Sequence, residues 1–308
     1  MISSLTPLFS RFFTARRKAT WLVLPAVTLV TTLALVLGTA IATPAQTYPV
    51  QVSPSRPTLG DTLLCHSSKV TNNAVPPTVT ASGTTYPTFP IAPNRYRALV
   101  PTSPNTPPGR MTLQVSGPEG NNSIAVNISN RSFNTQYITL SPGRAELEGT
   151  DHEFDRLDAL RALRTPTRYW NGPMTRPSSG RISSAYGNRR YYNGVFANDY
   201  YHRGVDYAAG NGSPIYAPAA GRIALVGRVA DGFVLNGNTI GIDHGQGVTS
   251  VMIHLSGFAV NEGDMVEAGQ LIGYMGSTGF ATGPNLHWGL FVNGISVDPV
   301  PWRYDGVE

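Results

Sequence analysis

Lysine is almost missing from this chain, with only Lys18 and Lys69 present, so arginine supplies nearly all the positive charge. Charged residues make up 13%, about half the usual share, which excludes a charge-laced coiled coil. A single cysteine, Cys65, excludes an intrachain disulfide framework and leaves the redox compartment unreported. No second long apolar run follows the one near the N-terminus. What is present is 308 residues, 41% of them hydrophobic, enough for two domains with real cores. With 32 glycines and 25 prolines, the chain argues against a helical bundle and for strands joined by turns.

The net charge of +5 is a local effect. Arg11, Arg16, Arg17 and Lys18 precede the first acid, Asp61, and setting those four aside leaves 19 bases against 18 acids. A near-neutral body gives a nucleic-acid partner no electrostatic footing. Arg16-Arg17-Lys18 leads into a chargeless stretch from Ala19 to Pro44, with an apolar core from Trp21 to Ile41. A basic flank, an apolar core and Ala40-Ile41-Ala42 together predict that residues 1–45 are a secretory signal, cut after Ala42 or Ala45, or an uncleaved N-terminal anchor. Either reading puts the rest of the chain outside the cytoplasm. A membrane partner follows only if the segment stays attached.

Residues 46–142 are rich in Pro, Thr, Ser and Asn. Candidate strands at Thr62–Cys65, Thr78–Ala81, Tyr96–Val100, Met111–Val115, Ser123–Ile128 and Gln136–Leu140 alternate with turn signals, which predicts a small β-sandwich. His66 stands alone there as a structural histidine, and Cys65 reads as a core thiol. Residues 143–169 form a connector with an amphipathic helix over 150–164. Thr150 and Glu153 fit a capping box, Phe154, Leu157, Leu160 and Leu163 form the apolar stripe, and Pro166 ends it. His152 lies in its exposed first turn.

Residues 170–308 are dense in glycine and read as an all-β unit, with apolar runs at Gly221–Val226, Thr239–Ile242, Val248–His254, Leu271–Met275 and Leu286–Val292. Four of the six histidines lie here: His202, His244, His254 and His287. In Tyr201-His202-Arg203-Gly204-Val205-Asp206 the glycine argues against a helix, but a bent strand can still bring His202 and Asp206 together. In Asn285-Leu286-His287-Trp288 a strand would put Asn285 and His287 on one face and Leu286 and Trp288 on the other. His287 could then join His202 and Asp206, and two imidazoles with one carboxylate make a catalytic zinc set. The plain alternative is a turn histidine, a capping aspartate and a core histidine with nothing in common. On pattern alone His254 reads as a satisfied core residue and His244 as a turn residue between two strands.

The flanking sequence resembles the lysostaphin/LytM-type zinc metalloendopeptidases, which cleave peptide cross-links of bacterial cell-wall peptidoglycan. The resemblance runs from about Trp170 to Trp302. It rests on ordered pieces that include Ile182-Ser183-Ser184-Ala185-Tyr186-Gly187, His202 to Asp206, Ile215-Tyr216-Ala217-Pro218-Ala219-Ala220-Gly221, Asn238 to Gly245, His254-Leu255-Ser256, Gly276-Ser277-Thr278-Gly279 and Thr282 to Trp288. It implies an all-β catalytic domain with an antiparallel sheet and a groove, a zinc ion on His202, Asp206 and His287, and a peptidoglycan peptide as substrate. It also implies that His254 stands beside the metal-bound water. A second such histidine is replaced here by Asn285, which can hydrogen-bond a water or an oxyanion but cannot take up a proton. An inactive wall-binding or regulatory protein of the same fold is therefore the alternative to an enzyme. The stretch Val260 to Gly273 also looks like half of a biotinyl or lipoyl carrier, but no lysine follows Lys69, which excludes covalent carriage in that region.

Overall fold

A computed structural model of the chain describes residues 49–68, 75–118 and 120–304. The expected leader, residues 1–45, lies outside them. The described part is all-β, with the N-terminal strands gathered in two four-stranded antiparallel sheets. One sheet holds β1 (Val50–Ser53), β2 (Thr62–Ser68), β5 (Thr88–Ala92) and β6 (Arg95–Pro101) in the order β1-β2-β6-β5; the other holds β3 (Thr78–Ala81), β4 (Thr84–Tyr86), β7 (Gly109–Gly117) and β8 (Gly120–Ile128) in the order β4-β3-β7-β8. Leu63, Cys65, Ala98 and Val100 of the first sheet pack on Val79, Leu113, Val115 and Ile128 of the second. Burial holds the Cys65 thiol up at about 12, so it is an inert part of this core.

Strand β2 is buried on both faces. Leu63 and Cys65 face the sandwich core, while Leu64, with Leu99 of β6, enters the core of the C-terminal unit. Polar contacts add to that docking: Asp298 N donates to Gly60 O at 2.8 Å, Asn293 Nδ2 to Leu99 O at 2.7 Å, and Arg131 pairs with Asp298 at 2.7 Å. Arg97, fully buried, donates to Gln246 Oε1.

The expected sandwich strand at Gln136–Leu140 goes elsewhere. β9 (Thr135–Ile138) leaves the sandwich and pairs in parallel with β11 (Arg189–Tyr192), which also pairs with β12 (Val195–Phe196). After one helical turn at Pro142–Ala145, the amphipathic helix spans Asp151–Arg161. Thr150 caps it by accepting from Glu153 N at 3.0 Å. Only half of the expected capping box forms, because the Glu153 carboxylate turns away to Leu235 N and Asn236 N. Leu157 and Leu160 of the helix pack on Leu225, Val251, Ile253 and Phe291, burial that contributes roughly 1.5–3 kcal/mol per leucine.

The C-terminal strands are β10 (Arg181–Ser184), β13 (Val205–Ala208), β14 (Pro214–Tyr216), β15 (Gly221–Gly227), β16 (Asn238–Gly245), β17 (Val248–Phe258), β18 (Met265–Val266), β19 (Leu271–Met275), β20 (Asn285–Val292) and β21 (Ile295–Val297). Seven of them form one antiparallel path, β10-β13-β20-β17-β16-β15-β18, with β14 and β19 joined through β17 and β21 through β20. One face of this sheet holds the main core, including Tyr207, Ile240, Met252, Leu286 and Trp288. The other face meets the helix, and the groove on that face is lined by Phe154, Leu157 and Arg161 of the helix as well as by sheet residues. Among the described residues no helix is long and apolar enough to cross a membrane.

His244 departs from its expected place in a turn. It lies inside β16, fully buried, with Nδ1 at 2.9 Å from Ala220 O and Nε2 at 2.8 Å from Ser250 Oγ. The turn comes later, at Gln246-Gly247, where both residues have positive φ. Burial pushes the His244 imidazole down to about 4, so it is neutral at physiological pH.

Candidate metal centre

Strand pairing builds the site. Asp206 on β13 lies directly opposite His287 on β20, and His287 lies opposite Ile253 on β17. Strand parity sends Leu286 and Trp288 into the core, completely buried, and turns Asn285 and His287 toward the groove. His202 arrives from the loop before β13. Gly204 is what allows that loop to close, since a Cβ there would overlap the Trp288 carbonyl and the His287 ring.

The three side chains that the sequence singled out converge. His202 Nε2 is 2.9 Å from Asp206 Oδ1 and 2.9 Å from His287 Nδ1, and His287 Nδ1 is 2.8 Å from Asp206 Oδ1. His202 Nδ1 donates to Ala185 O at 2.8 Å. Burial and the nearby Arg190 push the His202 imidazole down to about 4, so the ring is neutral and its Nε2 is a bare acceptor. Asp206 is held well below the usual carboxylate range by His202 and His287, against the opposing effect of burial. These three atoms, all in mutual contact, have at most one proton among them, on His287 Nδ1. Such a donor set fits a divalent cation, and the cluster could hold one.

His254 comes to the same groove by a different device. Between Met252 and Leu255 of β17 the register with β16 slips. His254 is the irregular residue, with φ of 72°. Without the slip, alternation would aim it into the core beside Met252; with it, the ring faces the groove. His254 N donates to Asn236 O at 3.0 Å and Nδ1 donates to Thr278 O at 2.9 Å, which leaves the Nε2 lone pair to the groove. Burial and His287 lower its imidazole to about 4. Asn285 lines the groove too, and its Oδ1 is buried with no hydrogen-bond partner, an unmet acceptor that a water or substrate N–H could fill. The groove has a volume of about 310 Å³, and its walls carry Ile138, Leu140, Tyr192, Tyr200 and Phe280.

Two groups of residues here were not legible from the sequence. Arg190 on β11 donates from Nη2 to Asp206 Oδ2 at 3.1 Å and from Nε to Gln136 Oε1 at 3.3 Å. Burial opposes its charge, but Tyr192, Tyr200 and Asp206 more than offset this and the guanidinium pKa is raised. Glu153 is fully buried and its carboxylate accepts from Leu235 N, Asn236 N and Asn236 Nδ2. It thereby fixes the loop whose Asn236 carbonyl holds His254. No motif marks Arg190, and the capping box that marks Glu153 does not show this contact, because each acts through a partner distant in sequence. His66 and His152 lie outside the groove, His66 on β2 and His152 edge-on to Phe233.

The C-terminal unit is similar to known proteins. Residues 200–299, which contain all five singled-out positions, match the profile of peptidase family M23. A 120-residue stretch is 42% identical to the DD-carboxypeptidase/endopeptidase Mpg of Neisseria meningitidis serogroup B, covering 39% of this chain and 26% of that protein. Another of 122 residues is 39% identical to lysostaphin of Staphylococcus simulans, covering 38% of this chain and 24% of that protein. The chain thus spans about a quarter of the length of these relatives. A solved structure assigned to peptidase M23, from Pseudomonas aeruginosa, is 27% identical with a TM-score of 0.59, covering 82% of this chain and 96% of that one. Residues 200–299 of this chain thus carry the match to peptidase family M23.

Proposed function

We infer that this protein is a zinc-dependent endopeptidase that hydrolyses peptide cross-links of bacterial peptidoglycan, working outside the cytoplasm, with residues 170–308 as its catalytic domain. The observation that carries this reading is the contact of His202 Nε2, Asp206 Oδ1 and His287 Nδ1 in the groove. A relative from Vibrio cholerae, 38% identical over 119 residues, is a peptidoglycan DD-endopeptidase, which favours a peptide of the cell wall as substrate.

His202, Asp206 and His287 would hold the ion. Bound there, zinc would supply Lewis acidity and lower the pKa of water. The remaining work belongs to side chains. His254, tethered at Nδ1 by Thr278 O, offers Nε2 to accept the proton of the attacking water and return it to the leaving amine. Asn285 cannot move a proton, and its unpaired amide oxygen orients a water or a substrate N–H. The apolar walls at Ile138, Leu140 and Phe280 exclude bulk water and fit an extended peptide.

The same asparagine supports a second reading, a wall-binding or regulatory protein that has given up catalysis. Incubation of the protein with purified peptidoglycan separates the two. Release of new amino groups and muropeptides that a chelator stops and zinc restores supports the enzyme. Binding to the wall without release, on every wall type tried, supports the second reading.

A further inference from the structure

The segment joining the sandwich to the helix does more than connect. β9 pairs in parallel with β11 so that Gln136 is the register partner of Arg190. Its amide oxygen is oriented without ambiguity, because Arg190 Nε is a donor only and faces Oε1 at 3.3 Å. The same Oε1 accepts from Ser184 Oγ at 2.8 Å. Ser184 Oγ is in turn 3.1 Å from His202 Nδ1 and accepts from Arg190 Nη2 at 3.1 Å and Asn188 Nδ2 at 3.3 Å. Every neighbour of that hydroxyl except Gln136 is a donor. The Ser184 proton therefore points at Gln136, and its lone pairs point at the His202 Nδ1–H and at Arg190.

We propose that Gln136 is a positioning residue for the metal centre, acting on two of its ligands at once. Through Ser184 it keeps the proton of His202 on Nδ1, and so keeps Nε2 free to bind. Through Arg190 it holds the guanidinium against Asp206 Oδ2, so that only Oδ1 is presented to the ion. Without an acceptor at position 136, the Ser184 proton turns toward His202 Nδ1 and competes with Ala185 O for the tautomer. Arg190 loses the contact that fixes its Nε side, and Asp206 is free to rotate. The centre is thus completed by a strand that lies outside the family's matched residues 200–299.

This inference rests on the reading that His202, Asp206 and His287 bind zinc, and the test separates the two. Zinc affinity of the full chain is measured by competition with a chromogenic chelator, and the visible absorption of the Co(II)-loaded protein is recorded. Gln136→Leu removes the acceptor at similar size and should weaken zinc binding about 10–100-fold and shift the Co(II) bands. Gln136→Glu keeps an acceptor oxygen for both donors and should restore affinity and spectrum. Tyr137→Ser, at a neighbouring side chain that is 77% exposed on the same strand, should behave as the parent. Ser184→Ala should lose part of the effect, and adding it to Gln136→Leu should cost less than the two losses combined. Parent-like metal binding in Gln136→Leu overturns the proposal and leaves the enzyme reading intact. An equal loss in Tyr137→Ser also overturns it, since strand docking alone would then explain the effect. A parent that binds no stoichiometric zinc overturns both.

Discussion

The outer sheet of the sandwich and the C-terminal sheet bury their strands in different ways. In the sandwich, β7 and β8 alternate along most of their length, one face toward Leu63 and Val79 and the other toward solvent. In the C-terminal sheet, β16 and β17 are buried almost from end to end, with the main core on one face and the helix and groove on the other. A one-sided sheet can only pack. A two-sided sheet has a second face on which polar groups can be shielded from water, and on it Asp206, His254 and His287 line the groove. The difference in burial is thus a division between a unit built for packing and one with room for chemistry.

That division can be attacked at several points. The largest effect should come from Asp206→Ala, which removes the shared oxygen between the two imidazoles and should reduce wall cleavage to background with loss of bound metal. Leu113→Ala in the sandwich core should destabilise the fold by about 2–5 kcal/mol in urea titrations while leaving zinc affinity unchanged. A sandwich substitution that weakened zinc as much as Asp206→Ala would dissolve the distinction. His254→Ala should lower turnover by at least about 10²-fold with zinc retained. Asn285→Ala should cost less, because it removes a hydrogen bond and not a base, and Asn285→His should keep or raise the rate.

A smaller effect concerns pH. Burial lowers the folded His244 imidazole to about 4 from an ordinary 6.5, so the unfolded chain binds the proton first. The stability from this residue is complete above about 6.5 and is lost as pH falls toward 4, on the order of 3 kcal/mol in all. Urea midpoints measured across that window should fall less steeply in His244→Gln than in the parent. Parallel curves would mean that His244 titrates normally. The smallest effect should come from Thr150→Ala, which removes the helix cap and should cost about 1 kcal/mol, read as a lower melting temperature with little change in cleavage.

Period-two alternation made Thr78–Ala81 and Met111–Val115 legible as strands, and parity alone placed Asn285 and His287 on one face. The candidate metal set was legible because its residues sit in two short motifs joined by one strand pair, β13 with β20. His244 was not, because its turn lies two residues further on and nothing in Asp243-His244-Gly245 shows that a strand continues. The aim of His254 depends on a register slip against β16, which no single-strand pattern contains. Gln136 and Arg190 were invisible for a related reason. Their partnership is a parallel pairing across more than fifty residues, and composition assigned Gln136 to the sandwich.

The central claim is that His202, Asp206 and His287 together hold one zinc ion. Elemental analysis of the purified parent and of His202→Ala, prepared side by side, tests it most directly. The account predicts one zinc per chain in the parent and none in the variant. Stoichiometric zinc in both, or in neither, would contradict it.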